Sequence, residues 1–145
     1  MNKPLYQEDF YAWTLAQADV LRRRSANEID WENLQEEVES LGRQQESELR
    51  SHLIVLLVHL LKWEFQQERR TRGWTHSVAE QRVESERLIR LNPSLKPMIE
   101  ETLEDAYKIA RIRAARETRK PKDHYPVQNP FGWQETMTLP VEWKD

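Results

Sequence analysis

The sequence contains no cysteine and only three glycines in 145 residues. Without cysteine the chain has no disulfide, no thiolate metal site and no cysteine nucleophile. The glycines, at positions 42, 73 and 132, are far apart and form no phosphate-binding loop. The first ten residues lack the apolar core of a signal peptide. We therefore expect a cytoplasmic protein that uses no cofactor.

Long apolar runs are also absent. Residues 53–61 carry no charged side chain, but a membrane-spanning helix takes about 20 apolar residues, so we expect no membrane association. The net charge is −3 and 32% of the residues are charged, which gives no overall preference for nucleic acid or anionic membranes. A chain of this length can bury a real core, and we expect a single domain over residues 1–145.

The segment from His52 to Trp63 is apolar on nearly every side when drawn as a helix, which predicts a buried central helix. A stripe of mainly apolar residues leads into it in steps of three and four and keeps its phase through Gly42. The stripe consists of Leu34, Val38, Leu41, Gln45, Leu49, His52, Leu56, His59 or Leu60, and Trp63. It favours one helix over about 31–67. The alternative is a kink at Gly42, since glycine weakens a helix by about 1 kcal/mol relative to alanine.

Three further helices follow from the same spacing argument. Helical periodicity covers about 8–24, 75–91 and 94–118. Gly73 is expected to end the element before the third helix, and Ser94 to cap the fourth. The segment 121–145 is too rich in aromatic residues for a free tail, so we expect it to pack on the bundle or on a second copy of it. Asn129 and Pro130 predict a short helix within it. We predict an all-α, up-and-down bundle of four main helices over 5–120, with a C-terminal arm packed on it.

One charged residue is predicted to lie inside the bundle. Arg82 lies on the apolar side of the third helix, so it needs partners there, because an unpaired buried charge is very costly. Its predicted partners are Glu36, Glu37 or Gln45, with His59 nearby. Two interpretations stay open: a polar clamp that fixes helix register, which we favour, or a pocket for acid–base chemistry.

The histidines do not predict a metal centre. His52 and His59 share a helix face, but they are two turns apart, about 10 Å along the axis. Helical metal pairs use a spacing of three or four residues. We therefore predict no metal site, although a metal-dependent enzyme centred on His59 is kept as an alternative.

The charges are distributed unevenly along the chain. Residues 28–50 carry eight acids against Arg43 and Arg50, whereas seven bases lie between positions 108 and 122 against Glu117 alone. The basic end is a candidate contact for phosphate or nucleic acid, but the interpretation we favour is helix-dipole compensation with solvated helix faces. The candidate contact residues are Arg111, Arg113, Arg116, Arg119 and Lys120.

Several short motifs occur in one order over about residues 5–140. They comprise Tyr6, Asp9, Phe10, Tyr11 and Trp13; Ile29–Leu34; Glu36, Glu37 and Glu39–Gly42; His59–Trp63; Arg69, Arg70 and Trp74; and Asn92–Leu95. With these motifs the sequence resembles the bacterial family known as domain of unknown function family 29. Gly73 departs from that pattern, which favours a polar residue there. The resemblance implies an all-helical bacterial domain with no assigned activity, and it supplies no catalytic or ligand residues.

The expected function follows from the apolar surface. Tryptophan and tyrosine are more abundant than four helices can cover, which favours a non-enzymatic interaction or scaffold module. Its expected partner is another protein or a second copy in a homodimer. The alternatives are a nucleic-acid-binding accessory protein that uses the basic end, and the metal-dependent enzyme centred on His59.

Overall fold

The computed structural model describes residues 3–145, with side chains from Leu5 onward. Six α-helices occur in chain order, and no strand is present over this range. They are α1 (Lys3–Glu8), α2 (Phe10–Arg23), α3 (Trp31–Phe65), α4 (Arg72–Leu91), α5 (Ile99–Thr118) and α6 (Trp133–Thr138). Helices α2 to α5 are the four long ones, so the prediction of an all-α fold with four main helices is confirmed.

Local chemistry sets most of the helix boundaries. The Asp9 side chain accepts a hydrogen bond from the backbone N–H of Ala12, and this cap separates α1 from α2. The hydroxyl of Thr71 accepts from the N–H of Trp74 and starts α4. Gly73 therefore lies in the first turn of α4, so the prediction that it ends the preceding element is wrong. Residues Pro93–Met98 form a 3-10 helix, which delays the start of α5 to Ile99.

Helix α3 is continuous through Gly42 over 35 residues. At 1.5 Å per residue it is about 52 Å long. The helix has no kink at Gly42, so the single long helix that the phase of the stripe favoured is the one observed. The chain forms two compact units, the first ending at Gln44 and the second running from Gln45 to Asp145. Whether the two units form a single domain over 1–145, as expected from the sequence, stays a prediction.

The second unit is built on the apolar half of α3. Six leucines of that half are fully buried: Leu49, Leu53, Leu56, Leu57, Leu60 and Leu61. Helix α4 contacts α3 through Asn92 with Gln45, Gln81 with His52, and Trp74 with Lys62, so it runs antiparallel to α3. In the last turn of α5, Glu117 contacts Lys62 at the end where α4 begins, so the three helices run up, down and up. Helix α5 turns Ala106, Ala110 and Ala114 to this core, and the small side chains allow its backbone to approach closely.

The C-terminal arm packs on the second unit, as the sequence predicts. Tyr125 and Phe131 are buried in its core, and Trp133 and Leu139 pack against that core. The arm's short helix begins later than predicted. Asn129 accepts a hydrogen bond from the N–H of Phe131 instead of capping a helix, and α6 starts at Trp133.

Arg82 fastens α6 to α4. Its Nε donates to the carbonyl oxygen of Thr136 at 2.9 Å, and its Nη2 donates to that of Leu139 at 2.9 Å. A cation at a helix C-terminus satisfies carbonyl groups that have no partner within the helix. The inward position of Arg82 is therefore as predicted, but its observed partners are backbone carbonyls of the arm and not Glu36 or Glu37.

The Arg82→Leu variant should lose about 1–3 kcal/mol of unfolding free energy, because hydrogen bonds from a charged donor contribute on this order. Urea unfolding measures the loss, and Arg87→Leu, which replaces an exposed arginine on the same helix, should change it little. Adding Glu37→Leu to Arg82→Leu should give no recovery. A recovery would show that the arginine pairs with the carboxylate after all.

Candidate protein-interaction surface

The first half of α3 displays an apolar stripe to solvent. We use the name open stripe for four residues spaced by three or four positions: Trp31, Leu34, Val38 and Leu41. Trp31 is 62% exposed, and Val38 and Leu41 are each 60% exposed, while Leu34 is half-buried. The next apolar residue along the same face, Leu49, is fully buried in the second unit. One helical face is thus covered by its own chain in one half and uncovered in the other.

Helix α2 and the first half of α3 form a hairpin, and hydrogen bonds within this hairpin fix the start of the open stripe. The indole N–H of Trp13 on α2 donates to Asp30 Oδ2 at 3.0 Å, and Gln17 Oε1 accepts from the backbone N–H of Asp30 at 2.9 Å. Asp30 in turn accepts from the side chain of Asn33 in the first turn of α3. Burial raises the pKa of Asp30, but the hydrogen bonds from Asn33 and Trp13 outweigh it and keep that pKa below its usual value.

A second contact braces the hairpin at its other end. The Tyr6 hydroxyl donates to Glu37, and this hydrogen bond to a carboxylate raises the pKa of Tyr6 to about 12. Tyr6 also packs edge-on against Phe10 and Trp13, with ring centroids 5.7 and 4.8 Å away. Because Trp13 and Gln17 meet Asp30 while the earlier residue Tyr6 meets the later residue Glu37, this segment runs antiparallel to α3.

The four residues of the predicted polar cluster have separate partners. Glu37 accepts from Tyr6, and Glu36 is exposed with Arg43 at 3.8 Å. Arg82 binds the carbonyls of the arm. His59 is half-buried, and its Nδ1 lies 2.8 Å from the carbonyl oxygen of Val55, to which it donates. No described contact joins any two of the four.

A polar site beside His59 was not predicted from the sequence. Lys62 is only 8% exposed, although it follows the apolar segment 53–61 directly. Its Nζ lies 3.0 Å from Glu117 Oε1 and 4.9 Å from the centre of the Trp74 ring. The carboxylate and the indole face together stabilise the buried cation. The position of Lys62 between an apolar run and Trp63 could have indicated a buried lysine. Its partner could not be predicted, because Glu117 is 55 positions away.

The five candidate contact residues at the basic end of α5 consist of one arginine that holds the arm and four exposed cations. Arg111 donates from Nε to the carbonyl oxygen of Tyr125 at 3.0 Å and from Nη2 to Asp123 at 3.2 Å, so it fastens the arm. Arg113, Arg116, Arg119 and Lys120 are exposed. Arg119 caps α5 in the left-handed conformation, with φ of 57°.

The groove beside the arm is lined by carboxylates, while the described residues contain no cluster of metal ligands. Among residues 3–145, no group of three or more histidine, aspartate or glutamate side chains could hold a metal ion. A groove of about 830 Å³ lies between α5 and the arm, and Glu100, Glu101 and Glu104 line it together with aromatic residues. Its lining includes no histidine, serine or threonine. None of the described helices combines the length and the apolarity that crossing a membrane requires.

A family model for a domain of unknown function, DUF29, matches residues 5–140. The chain belongs to the DUF29 family. The match spans both units and includes the hairpin, the open stripe and most of the arm. No curated protein and no solved structure matches the chain. The family is described only as a domain of unknown function, so membership in DUF29 assigns no activity to the chain.

His59 predicts a defined pH dependence of stability. Burial lowers its pKa below the ordinary 6.5. The unfolded chain therefore binds more protons than the folded one below about pH 6.5, and wild-type stability falls as the pH drops through the folded-state pKa. His59→Gln removes this loss, so the stability difference between wild type and variant should shrink from pH 7 to pH 5. Chemical unfolding at several pH values measures it, with the exposed His76→Gln as control. A pH-independent difference would contradict a buried, neutral His59.

Proposed function

We propose that this DUF29 chain is a non-enzymatic interaction module of the bacterial cytoplasm, which binds an apolar protein helix along the open stripe. One observation carries the proposal: the apolar face of α3 is buried from Leu49 onward but exposed from Trp31 to Leu41. Isolated exposed apolar residues are normal on a protein surface. Residues repeated on one helix face are different, because together they form a continuous strip that a second helix can cover.

Gly42 supports the same proposal. A glycine inside a helix costs about 1 kcal/mol relative to alanine. A Cβ at Gly42 would meet no atom within 4 Å, so nothing in the chain itself requires the absence of a side chain there. Gly42 directly follows the last residue of the open stripe, where it allows a partner to approach the α3 backbone closely.

The hairpin holds the open stripe in a fixed conformation before a partner binds. Asp30 ties the first turn of α3 to Trp13 and Gln17, and Glu37 is tied to Tyr6. A binding face on a helix that is already formed and braced loses little conformational freedom when a partner arrives. The buried polar groups of the second unit act differently: Arg82, Arg111 and Lys62 join parts of the chain to one another.

The basic end of α5 supports a second, weaker candidate, which is contact with nucleic acid. Arg113, Arg116, Arg119 and Lys120 are exposed and form no ion pair with any described residue. Four cations at one helix end can contact phosphates, although such a footprint carries no sequence specificity. This candidate is independent of the open stripe.

Photo-crosslinking tests the interaction module in the cells that make the protein. A photoreactive phenylalanine analogue at position 38 should give a discrete protein adduct heavier than the 17.5 kDa chain. The same analogue at position 83 is the matched control, because Val83 is 63% exposed on α4 against 60% for Val38. Mass spectrometry identifies the second chain in the adduct. Equal, diffuse labelling at both positions would contradict a binding face on α3.

A further inference from the structure

We propose that the open stripe is covered by the open stripe of a second copy, packed antiparallel, with Trp31 of each chain over Leu41 and Gly42 of the other. This inference rests on the proposed function and names its partner. The resulting interface is isologous, since the same residues contribute from both chains.

The stripe is complementary to itself in the antiparallel direction. Its residues occupy the a and d positions of a heptad, with Trp31 and Val38 at a and Leu34 and Leu41 at d. When two copies run in opposite directions about a two-fold axis near position 36, every a residue meets a d residue. Trp31 then faces Leu41, and Leu34 faces Val38. All four residues find apolar partners, and none is left over.

Side-chain sizes favour this register. Trp31 is the largest residue of the stripe and would be opposite its far end, where Gly42 follows Leu41. The space beside Gly42 is open, with no atom within 4 Å of a Cβ built there. An indole needs such room, and tight packing of a large residue against a small one is the arrangement that close-packed cores use. A parallel register would instead place the two indoles against each other.

The flanks of the seam carry few charges. The residues that flank the stripe include Gln35, Gly42 and Gln44, which are uncharged. The carboxylates of Asp30 and Glu37 also lie there, and each accepts a hydrogen bond within its own chain, from Trp13 and from Tyr6, but keeps its negative charge. The two Glu37 carboxylates approach each other near the two-fold axis, and this repulsion weakens the dimer. On the helical wheel, Glu32, Glu36 and Glu39 fall on the far side of α3 from the stripe. Antiparallel helices also place opposite dipole ends next to each other.

The surface area that the two open stripes would bury indicates a weak dimer. The exposed parts of the four side chains amount to about 400 Å² per chain, with Trp31 contributing about 150 Å² of it. Phe10, which is 49% exposed, stacks on Trp13 beside the hairpin and can add to the edge. A standard stable interface buries about 800 Å² per partner. We therefore expect association at micromolar concentrations and not at nanomolar ones.

Sedimentation equilibrium over low to high micromolar concentrations tests the dimer. The weight-average mass should rise from 17.5 kDa towards twice that value. Val38→Lys should weaken association at least tenfold, whereas the matched exposed change Val83→Lys should leave it unaltered. Gly42→Ala should raise the urea midpoint of the monomer and weaken association about tenfold. A glycine with only a structural role would not produce a more stable monomer together with a weaker dimer. Circular dichroism confirms that each variant folds.

Single cysteines test the register, since the chain contains none. Leu34→Cys and Val38→Cys proteins should form a disulfide with each other faster, when mixed in a glutathione buffer, than either forms with itself. Faster self-linkage of each variant would overturn the antiparallel register. A mass of 17.5 kDa at every concentration would overturn the second copy as partner. A dimer insensitive to Val38→Lys would overturn the pairing of the two open stripes. The crosslink at position 38 to a different protein in cells would then leave the interaction module standing.

Discussion

The apolar face of α3 is longer than the core that surrounds it, and the rest of the molecule is arranged around this mismatch. The face keeps one phase from Trp31 to Trp63 because the helix is unbroken at Gly42. From Leu49 onward, α4, α5 and the arm contribute to the core that buries it. Before Gln45, the α2 hairpin packs on a different side of the helix and leaves the open stripe exposed. This exposed half of the apolar face is the surface on which the proposed interaction depends.

The polar groups inside the second unit explain how this unit closes around α3. Arg82 binds the C-terminal carbonyls of α6, Arg111 binds the carbonyl of Tyr125, and Lys62 pairs with Glu117. Each of these cations joins segments that are far apart in sequence, so together they fix the helix order and the position of the arm. Each of them makes its hydrogen bonds within the chain, and we therefore attribute them to architecture.

The sequence predicted the features that depend on local periodicity. The phase of the α3 stripe predicted a helix through Gly42, and the aromatic residues of 121–145 predicted a packed arm. Periodicity could not identify partners distant in sequence, so the position of Arg82 was inferred well but its carbonyl partners were not. The spacing of the stripe also did not show where it is covered, since it continues from Val38 to Leu56 in one phase. The signal lay in the surrounding residues, which are acidic around Val38 and apolar around Leu56. The capping of α4 by Thr71 was missed because Gly73 suggested a boundary.

Amide hydrogen exchange along α3 tests the central claim most directly, since it compares two halves of one helix. At low protein concentration, amides of residues 53–61 should exchange only through global unfolding, whereas those of 31–44 should exchange faster. Raising the concentration should slow exchange in 31–44, because opening of this segment then requires the second chain to leave. Exchange in 31–44 that is as slow as in 53–61 at every concentration would contradict the account.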